Sequence, residues 1–98
     1  MEIHFRDDKL DRLETDPKFD GGFPGVVVTK FRQRIQVIRA APDERVFFQL
    51  RSLRFEKLKA DRGHQYSMRL NDQWRLIVEL EGKAPNKIVV VVRIEDYH

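Results

Sequence analysis

A run of five β-branched residues near the end of the chain constrains its fold most strongly. Ile88, Val89, Val90, Val91 and Val92 follow one another without a polar break. β-Branched side chains favour extended backbone, and a short, continuous apolar run is typical of a strand buried on both faces. The run therefore predicts a buried β-strand, and with it a fold built on a sheet.

Three side chains that can exchange protons follow this strand. Asp96, Tyr97 and His98 bring a carboxylate, a phenol and an imidazole to the end of a rigid element. Chain termini usually fray, so the alternative is a solvated tail on an edge strand. We interpret the three residues as candidate catalytic groups, because the rest of the chain supplies a cationic surface that such groups can serve.

The pattern of residues 1–40 predicts a strand and two helices. Residues 2–6 alternate between polar and apolar, as a short strand does. Asp7 can cap a first helix, which Pro17 ends, and the loop over 18–25 is rich in glycine and proline. A second helix is predicted over 26–40 from apolar residues spaced four, four and three apart: Val27, Phe31, Ile35 and Ile38. The basic residues of this helix fall off the apolar stripe: Lys30, Arg32, Arg34 and Arg39.

The remainder of the chain predicts mainly strands. A short helix is expected after Pro42, carrying Val46, Phe47 and Leu50. Strands are expected over four segments: 51–55, 66–70, 74–80 and 87–95. This order predicts an α+β fold, with an N-terminal strand and two to three helices packed on one face of a mainly antiparallel four- to five-stranded sheet. Without linker or repeat, residues 1–98 are expected to form a single domain.

Composition excludes several classes of function. The chain has no cysteine, which excludes disulfides and thiolate metal sites. His4, His64 and His98 lack the spacing of a zinc site, so neither a metal nor a cofactor is expected. No segment approaches the ~20 apolar residues of a membrane span, and residues 1–6 do not resemble a signal peptide. We therefore expect a cytoplasmic protein without membrane contact.

Positive charge is concentrated in the middle of the chain. The net charge is only +3, but residues 30–75 contain twelve basic and five acidic residues. This segment carries +7, while residues 1–29 carry −3 and residues 76–98 carry −1. An arginine-rich segment of this kind is the electrostatic footprint of a phosphate-bearing partner. The alternative is a set of arginines that only solvate a helix and a hairpin.

Three motifs resemble those of one known family. Residues 58–62 read Leu-Lys-Ala-Asp-Arg and are similar to an L-K-G-D-R loop. Residues 67–76 resemble an S-I-R-I-N-D-Q-W-R-I hairpin, and residues 96–98 resemble a terminal D-Y-H. In this order the motifs resemble the HigB-type toxins, or plasmid-maintenance killer proteins, of the RelE/ParE superfamily. The resemblance covers most of residues 24–98.

This resemblance implies a function, a fold and partners. HigB-type toxins have a RelE/ParE-like fold and are ribosome-dependent endoribonucleases that cleave translated mRNA in the A site. The implied partners are a HigA-type helix-turn-helix antitoxin, the ribosome and mRNA. Operator DNA would be contacted only through the antitoxin.

Metal-free RNA cleavage needs a base for the ribose 2′-hydroxyl, cations for the phosphorane and an acid for the leaving oxygen. The candidate catalytic residues are Lys59, Arg75, Asp96, Tyr97, His98 and Glu56. The candidate RNA- and ribosome-binding residues are Arg32, Arg34, Lys57, Arg62 and Arg69. Among the cations, Arg75 is the best candidate for the phosphorane, because a guanidinium can bind phosphate through two hydrogen bonds.

Two positions depart from the family pattern. Glu56 stands where some members have a histidine, and it can act as a base or only pair with a neighbouring cation. Ala60 replaces the glycine of the 58–62 loop, which puts a left-handed backbone there in doubt. His64 has no family motif behind it, so a part in the reaction stays open. Trp74 is expected to belong to the core, since it shares the apolar face of its strand.

Two other functions fit a chain of this superfamily. One is a ParE-type toxin, which inhibits DNA gyrase as a protein ligand and needs no catalytic acid or base. The other is a catalytically silent domain that binds its antitoxin and co-represses an operon. The three residues 96–98 favour the ribonuclease.

Overall fold

The computed structural model describes residues 1–96, and within them three α-helices accompany a five-stranded mixed sheet. The helices are α1 (Asp8–Thr15), α2 (Gly25–Ala40) and α3 (Arg45–Gln49). The strands are β1 (Glu2–Phe5), β2 (Glu56–Lys57), β3 (Gln65–Arg69), β4 (Trp74–Glu81) and β5 (Ile88–Asp96). Two short 3₁₀ turns cover Arg51–Leu53 and Ala60–Arg62. The predicted α+β class is confirmed.

The sheet has the strand order β1-β5-β4-β3-β2. β1 runs parallel to β5, and every other neighbouring pair is antiparallel. β5 therefore lies between two strands, and Val89 and Val91 are fully buried. The prediction of a buried strand from the apolar run is confirmed.

Helices α1 and α2 cover one face of the sheet, which we call the covered face. The Asp7 carboxylate accepts a hydrogen bond from the Lys9 backbone N–H and caps α1. All four residues of the predicted α2 stripe are fully buried: Val27, Phe31, Ile35 and Ile38. No helix in residues 1–96 is long and apolar enough to cross a membrane.

A β-bulge in β5 decides which side chains reach the opposite face of the sheet. Ile77 pairs with Arg93 and Val78 pairs with Val91, so Val92 has no partner on β4. One unpaired residue reverses the alternation of all residues that follow it. Val91 faces the helices, and the bulge turns Arg93 and Glu95 to the other face, while Ile94 packs against the core.

The structure corrects two expectations about the basic segment. Residues 51–55 were expected to form a strand, but a 3₁₀ turn is present, and β2 begins only at Glu56. Leu53 and Phe55 are buried as their alternation predicted; Arg54 lies between them with a left-handed backbone, so the chain turns where a strand would run straight. Arg34 was expected on the solvated side of α2, but only 9% of it is exposed.

Candidate active site

Charged and polar residues from four strands share the face opposite the helices, which we call the open face. Successive residues of a strand point to opposite faces, so the neighbours of the core residues on β3, β4 and β5 must lie here. The cross-strand register places the following residues on it: Glu56, Ser67, Arg69, Arg75, Glu79 and Glu95.

Two arginines stand side by side on the open face. Arg69 on β3 and Arg75 on β4 are direct cross-strand partners. Asp72, in the turn between them, accepts a hydrogen bond from Arg69, which lowers the pKa of its carboxyl, as do the charges of Arg75 and Arg54. Arg69 and Arg75 outnumber this carboxylate, so the pair stays cationic, and guanidinium groups can bind a phosphate group in the same way.

The turn of the 67–76 hairpin fixes the backbone that carries Arg75. The Asn71 side-chain oxygen accepts hydrogen bonds from the backbone N–H groups of Gln73 and Trp74, at 2.9 and 2.8 Å. Asparagine is favoured in turns because its side chain can bond the backbone two residues on. The Asn71 carbonyl in turn accepts a hydrogen bond from Nη1 of Arg75 at 2.7 Å. The motif residues thus hold the arginine at the start of β4.

The 58–62 loop delivers Arg62 to the same face. Its Nε donates to Oε1 of Gln65 at 3.3 Å, and its Nη2 donates to Oε2 of Glu95 at 3.2 Å. Glu95 is also the cross-strand partner of Arg75, so it connects Arg62 of the loop with Arg75 of β4. Lys59 is exposed at the start of the loop.

Backbone strain flanks β2 at both ends. Ala60 has a φ of 59° and Arg54 a φ of 45°, a left-handed conformation that costs an L-residue roughly 1–2 kcal/mol. The expectation that alanine at position 60 argues against a left-handed backbone is therefore wrong. Residues strained in this way cluster at functional sites, where the surrounding structure holds them in place.

A buried carboxylate at the centre of the open face was missed by the sequence reasoning. Glu79 is only 8% exposed and accepts two hydrogen bonds from Arg6, at 3.0 and 2.9 Å, and one from Gln65 at 2.9 Å. These hydrogen bonds, that from Arg6 first, lower the pKa of Glu79. His64 lies 3.5 Å from the same carboxylate. The signal in the sequence was one acidic residue inside an otherwise apolar strand.

The remaining candidate catalytic residues lie at two places. Glu56 is exposed on β2, and the strand spacings put its Cα about 12 Å from that of Arg75 on the open face. Asp96 ends β5, where its carboxylate accepts a hydrogen bond from the Gln73 amide at 3.2 Å. Tyr97 and His98 lie outside the described residues. Residues 1–96 contain no group of three side chains arranged to hold a metal.

The candidate binding residues of α2 are engaged within the protein. Arg32 donates three hydrogen bonds of 3.0 to 3.2 Å to the backbone carbonyls of Leu13, Asp16 and Phe19. Arg34 donates from Nε to the Arg69 carbonyl at 2.9 Å, and burial lowers its pKa. Lys57 pairs with Tyr66 and lies on the covered face. Of the five predicted binding residues, only Arg62 and Arg69 come together on the open face.

Comparisons with known proteins agree with this architecture. The family model of the RelE-like toxin of the type II toxin–antitoxin system HigB matches residues 3–98. A solved structure, the YoeB/ParE toxin from Agrobacterium tumefaciens, is similar over 100% of both chains, with a TM-score of 0.62 and 17% sequence identity. At that identity the similarity shows the fold alone. No curated protein sequence matches the chain significantly.

Proposed function

The chain belongs to the HigB-like family of RelE-like type II toxins, and from this premise we propose that it is a ribosome-dependent endoribonuclease that cleaves translated mRNA in the A site. The observation that carries the proposal is the pairing of Arg69 and Arg75 beside Asp72 on the open face. Guanidinium groups held together in this way are suited to bind a phosphate group through paired hydrogen bonds.

The proposed reaction is an in-line displacement at phosphorus without a metal. A base takes the proton of the ribose 2′-hydroxyl, and the 2′-oxygen forms a bond to phosphorus. The bond from phosphorus to the 5′-oxygen breaks, and an acid protonates that leaving oxygen. The products are a 2′,3′-cyclic phosphate and a 5′-hydroxyl. Arg75, with Lys59 and Arg62, stabilises the extra negative charge that develops on the phosphorane.

Two groups of residues are proposed for proton transfer. Asp96, Tyr97 and His98 form the first, because they follow Glu95, the cross-strand partner of Arg75, in the chain. Glu56 is the second, because it shares the open face with Arg75. Free imidazole titrates near pH 6.5, so His98 suits either role, and the Glu56 carboxylate is proposed as a base.

As a type II toxin the protein has an antitoxin partner. We propose that the partner is a HigA-type helix-turn-helix protein, that operator DNA is contacted only through it, and that the toxin acts in the cytoplasm. Arg62 and Arg69 are proposed to meet RNA phosphates. The contacts of Arg32 and Arg34 favour a structural role for both of them.

Induced expression of variants tests the proposed reaction. His98→Ala and Arg75→Ala should each relieve growth arrest, since losing a positioned proton-transfer group costs ~10²–10⁴-fold in rate, and losing a transition-state donor ~10²–10³-fold. Primer extension on translated mRNA should show cuts that vanish in both variants. Arg45→Ala is the matched control, because this arginine pairs with Asp43 and is remote from the open face.

Two results would reverse the proposal. Full toxicity of both variants would exclude catalysis by the open face. Inhibition of purified DNA gyrase at near-stoichiometric toxin, with intact translation, would assign the protein to the gyrase inhibitors.

A further inference from the structure

Two large apolar side chains, two residues apart in the chain, are exposed at the end of α3. Phe48 is 58% exposed and Leu50 is 40% exposed. Val26, on α2, is the other large apolar residue exposed to this degree in residues 1–96. We call Phe48 and Leu50, together with the flanking cations Arg51, Arg54 and Lys57, the α3 patch. Large apolar residues that are exposed among charged residues are typical of an interaction surface.

Aromatic packing holds the exposed ring of this patch in place. Phe48 contacts Phe55 edge to face, with ring centroids 4.8 Å apart. Phe55 in turn stacks on Tyr66 at 4.9 Å, with the two rings parallel within 2°. Phe48 is therefore the outer end of a row of three rings that continues into the core. A side chain that is already ordered loses little rotamer freedom on binding, which favours a docking role.

The α3 patch contains three cations. Arg51 and Arg54 follow Leu50 closely, and Lys57 is the cross-strand partner of Tyr66, on the same face as the aromatic row. None of these three makes an ion pair with another residue of the described part. Several basic residues elsewhere are paired with carboxylates, among them Arg6, Arg39, Arg45, Arg62 and Lys87. The charge of Arg54 also lowers the pKa of Asp72, whereas the charges of Arg51 and Lys57 are available for a partner.

We infer that the α3 patch is the docking site for an apolar, acidic segment of the cognate antitoxin. Phe48 and Leu50 would accept the apolar side chains of that segment, and the three cations would meet its carboxylates. A second copy of this chain is disfavoured, because the same cations would face one another. RNA is disfavoured because Leu50 offers no ring for base stacking, and the arginine pair proposed for phosphate lies on the open face. The inference rests on the family membership and is independent of the proposed ribonuclease activity.

Binding of the antitoxin by toxin variants tests this site. The probe is the protein encoded by the reading frame next to the toxin, and its affinity is measured by calorimetry with toxin refolded from the complex. Phe48→Ala and Leu50→Ala should each weaken binding at least about tenfold, as truncation of an anchor residue does. The matched control is Val26→Ala, which removes an equally exposed apolar side chain elsewhere and should leave affinity unchanged. Arg51→Ala together with Arg54→Ala should slow association and reduce its salt dependence.

Growth assays separate this inference from the proposed activity. The Phe48→Ala toxin should still arrest growth when expressed alone, and co-expressed antitoxin should no longer rescue it. Circular dichroism should show a folded variant, and Phe48→Leu should restore part of the affinity. Wild-type antitoxin affinity in Phe48→Ala would overturn the inference. So would a loss of ribosome affinity or of a toxin dimer without loss of antitoxin binding, since the patch would then serve RNA or a second copy.

Discussion

The two faces of the sheet are held by different forces, although the same strands build both. On the covered face, Leu76 and Val78 of β4 are fully buried against the helices. On the open face, their neighbour Glu79 is also buried, but it is satisfied by hydrogen bonds from Arg6 and Gln65. Hydrophobic burial is non-directional, and any apolar residue of suitable size contributes to it. A buried carboxylate is stable only if specific partners are present.

This difference predicts which substitutions each face tolerates without losing stability. The covered face should lose stability in proportion to the volume that a substitution removes. The open face should lose stability when one partner of a pair is removed, even if volume is conserved. The following variants test this contrast.

The largest effect is expected from a cavity on the covered face. Phe31→Ala removes a fully buried ring from α2 and should lower the free energy of unfolding by about 3–5 kcal/mol. Urea denaturation of the refolded toxin measures it. Val26→Ala, on the same helix but 57% exposed, should change stability by less than about 0.5 kcal/mol. A comparable loss in both variants would mean that burial does not decide stability on this side.

A second variant tests whether Arg32 of α2 stabilises the fold. Arg32→Ala removes three hydrogen bonds to the carbonyls at the end of α1 and beyond it, and should cost about 1.5–3 kcal/mol. Lys30→Ala, which removes a cation from the same helix, is the control. The original expectation from the sequence would be restored if Arg32→Ala kept wild-type stability but bound ribosomes more weakly over a salt series.

On the open face, Glu79→Gln conserves volume but removes the charge and replaces one acceptor oxygen with an NH2 donor. The bidentate contact with Arg6 is lost, and we expect a cost of about 1–3 kcal/mol in urea denaturation. Glu81→Gln is the matched control, since Glu81 is 54% exposed and lies 3.8 Å from the same arginine. Exposed pairs contribute about 0–1 kcal/mol. Equal effects of the two substitutions would remove the distinction between buried and exposed pairs on this face.

Low pH should abolish the stability difference between wild type and Glu79→Gln, but not the difference between wild type and Phe31→Ala. The folded protein holds the pKa of Glu79 below its ordinary value of 4.5, so the unfolded chain binds more protons in this range. The stabilisation is complete above about pH 4.5 and is lost as the pH falls through the lowered folded value. Urea midpoints across this pH range should therefore converge for wild type and Glu79→Gln. A constant difference down to about pH 3 would show that this carboxylate is not the group responsible.

The two faces also differ in how far the sequence predicts them. The α2 stripe and the strand at 88–92 followed from periodicity, because burial needs only a residue's position on its own element. The pairing of Arg6 with Glu79 joins residues 73 positions apart, and no local pattern indicates it. Likewise Arg34 is a basic residue at an exposed-looking position, and only the packing of α2 against the 67–76 hairpin buries it.

The sequence predicted those parts of the candidate site that lie in the motifs shared with the toxin family. Arg75 and the 58–62 loop were predicted from the resemblance, and the structure places Arg62 and Arg75 on one face with Glu95 between them. Their chemical roles remain predictions, as do those of Tyr97 and His98. The face on which Lys57 lies depends on the register of a two-residue strand, which alternation alone does not specify.

The smallest expected effect is a gain in stability at the edge of the open face. Ala60→Gly removes the Cβ that a φ of 59° disfavours by roughly 1–2 kcal/mol. Glycine also increases the entropy of the unfolded chain, which opposes this gain by about 0.4–1 kcal/mol. The net expectation is a stabilisation of about 0.5–1 kcal/mol, seen as a rise in Tm of about 2–8 °C. Ala40→Gly, at the end of α2, is the control and should destabilise by up to about 1 kcal/mol, because glycine is unfavourable in a helix. A lower Tm for Ala60→Gly would mean that contacts of the alanine methyl group outweigh the backbone strain at this position.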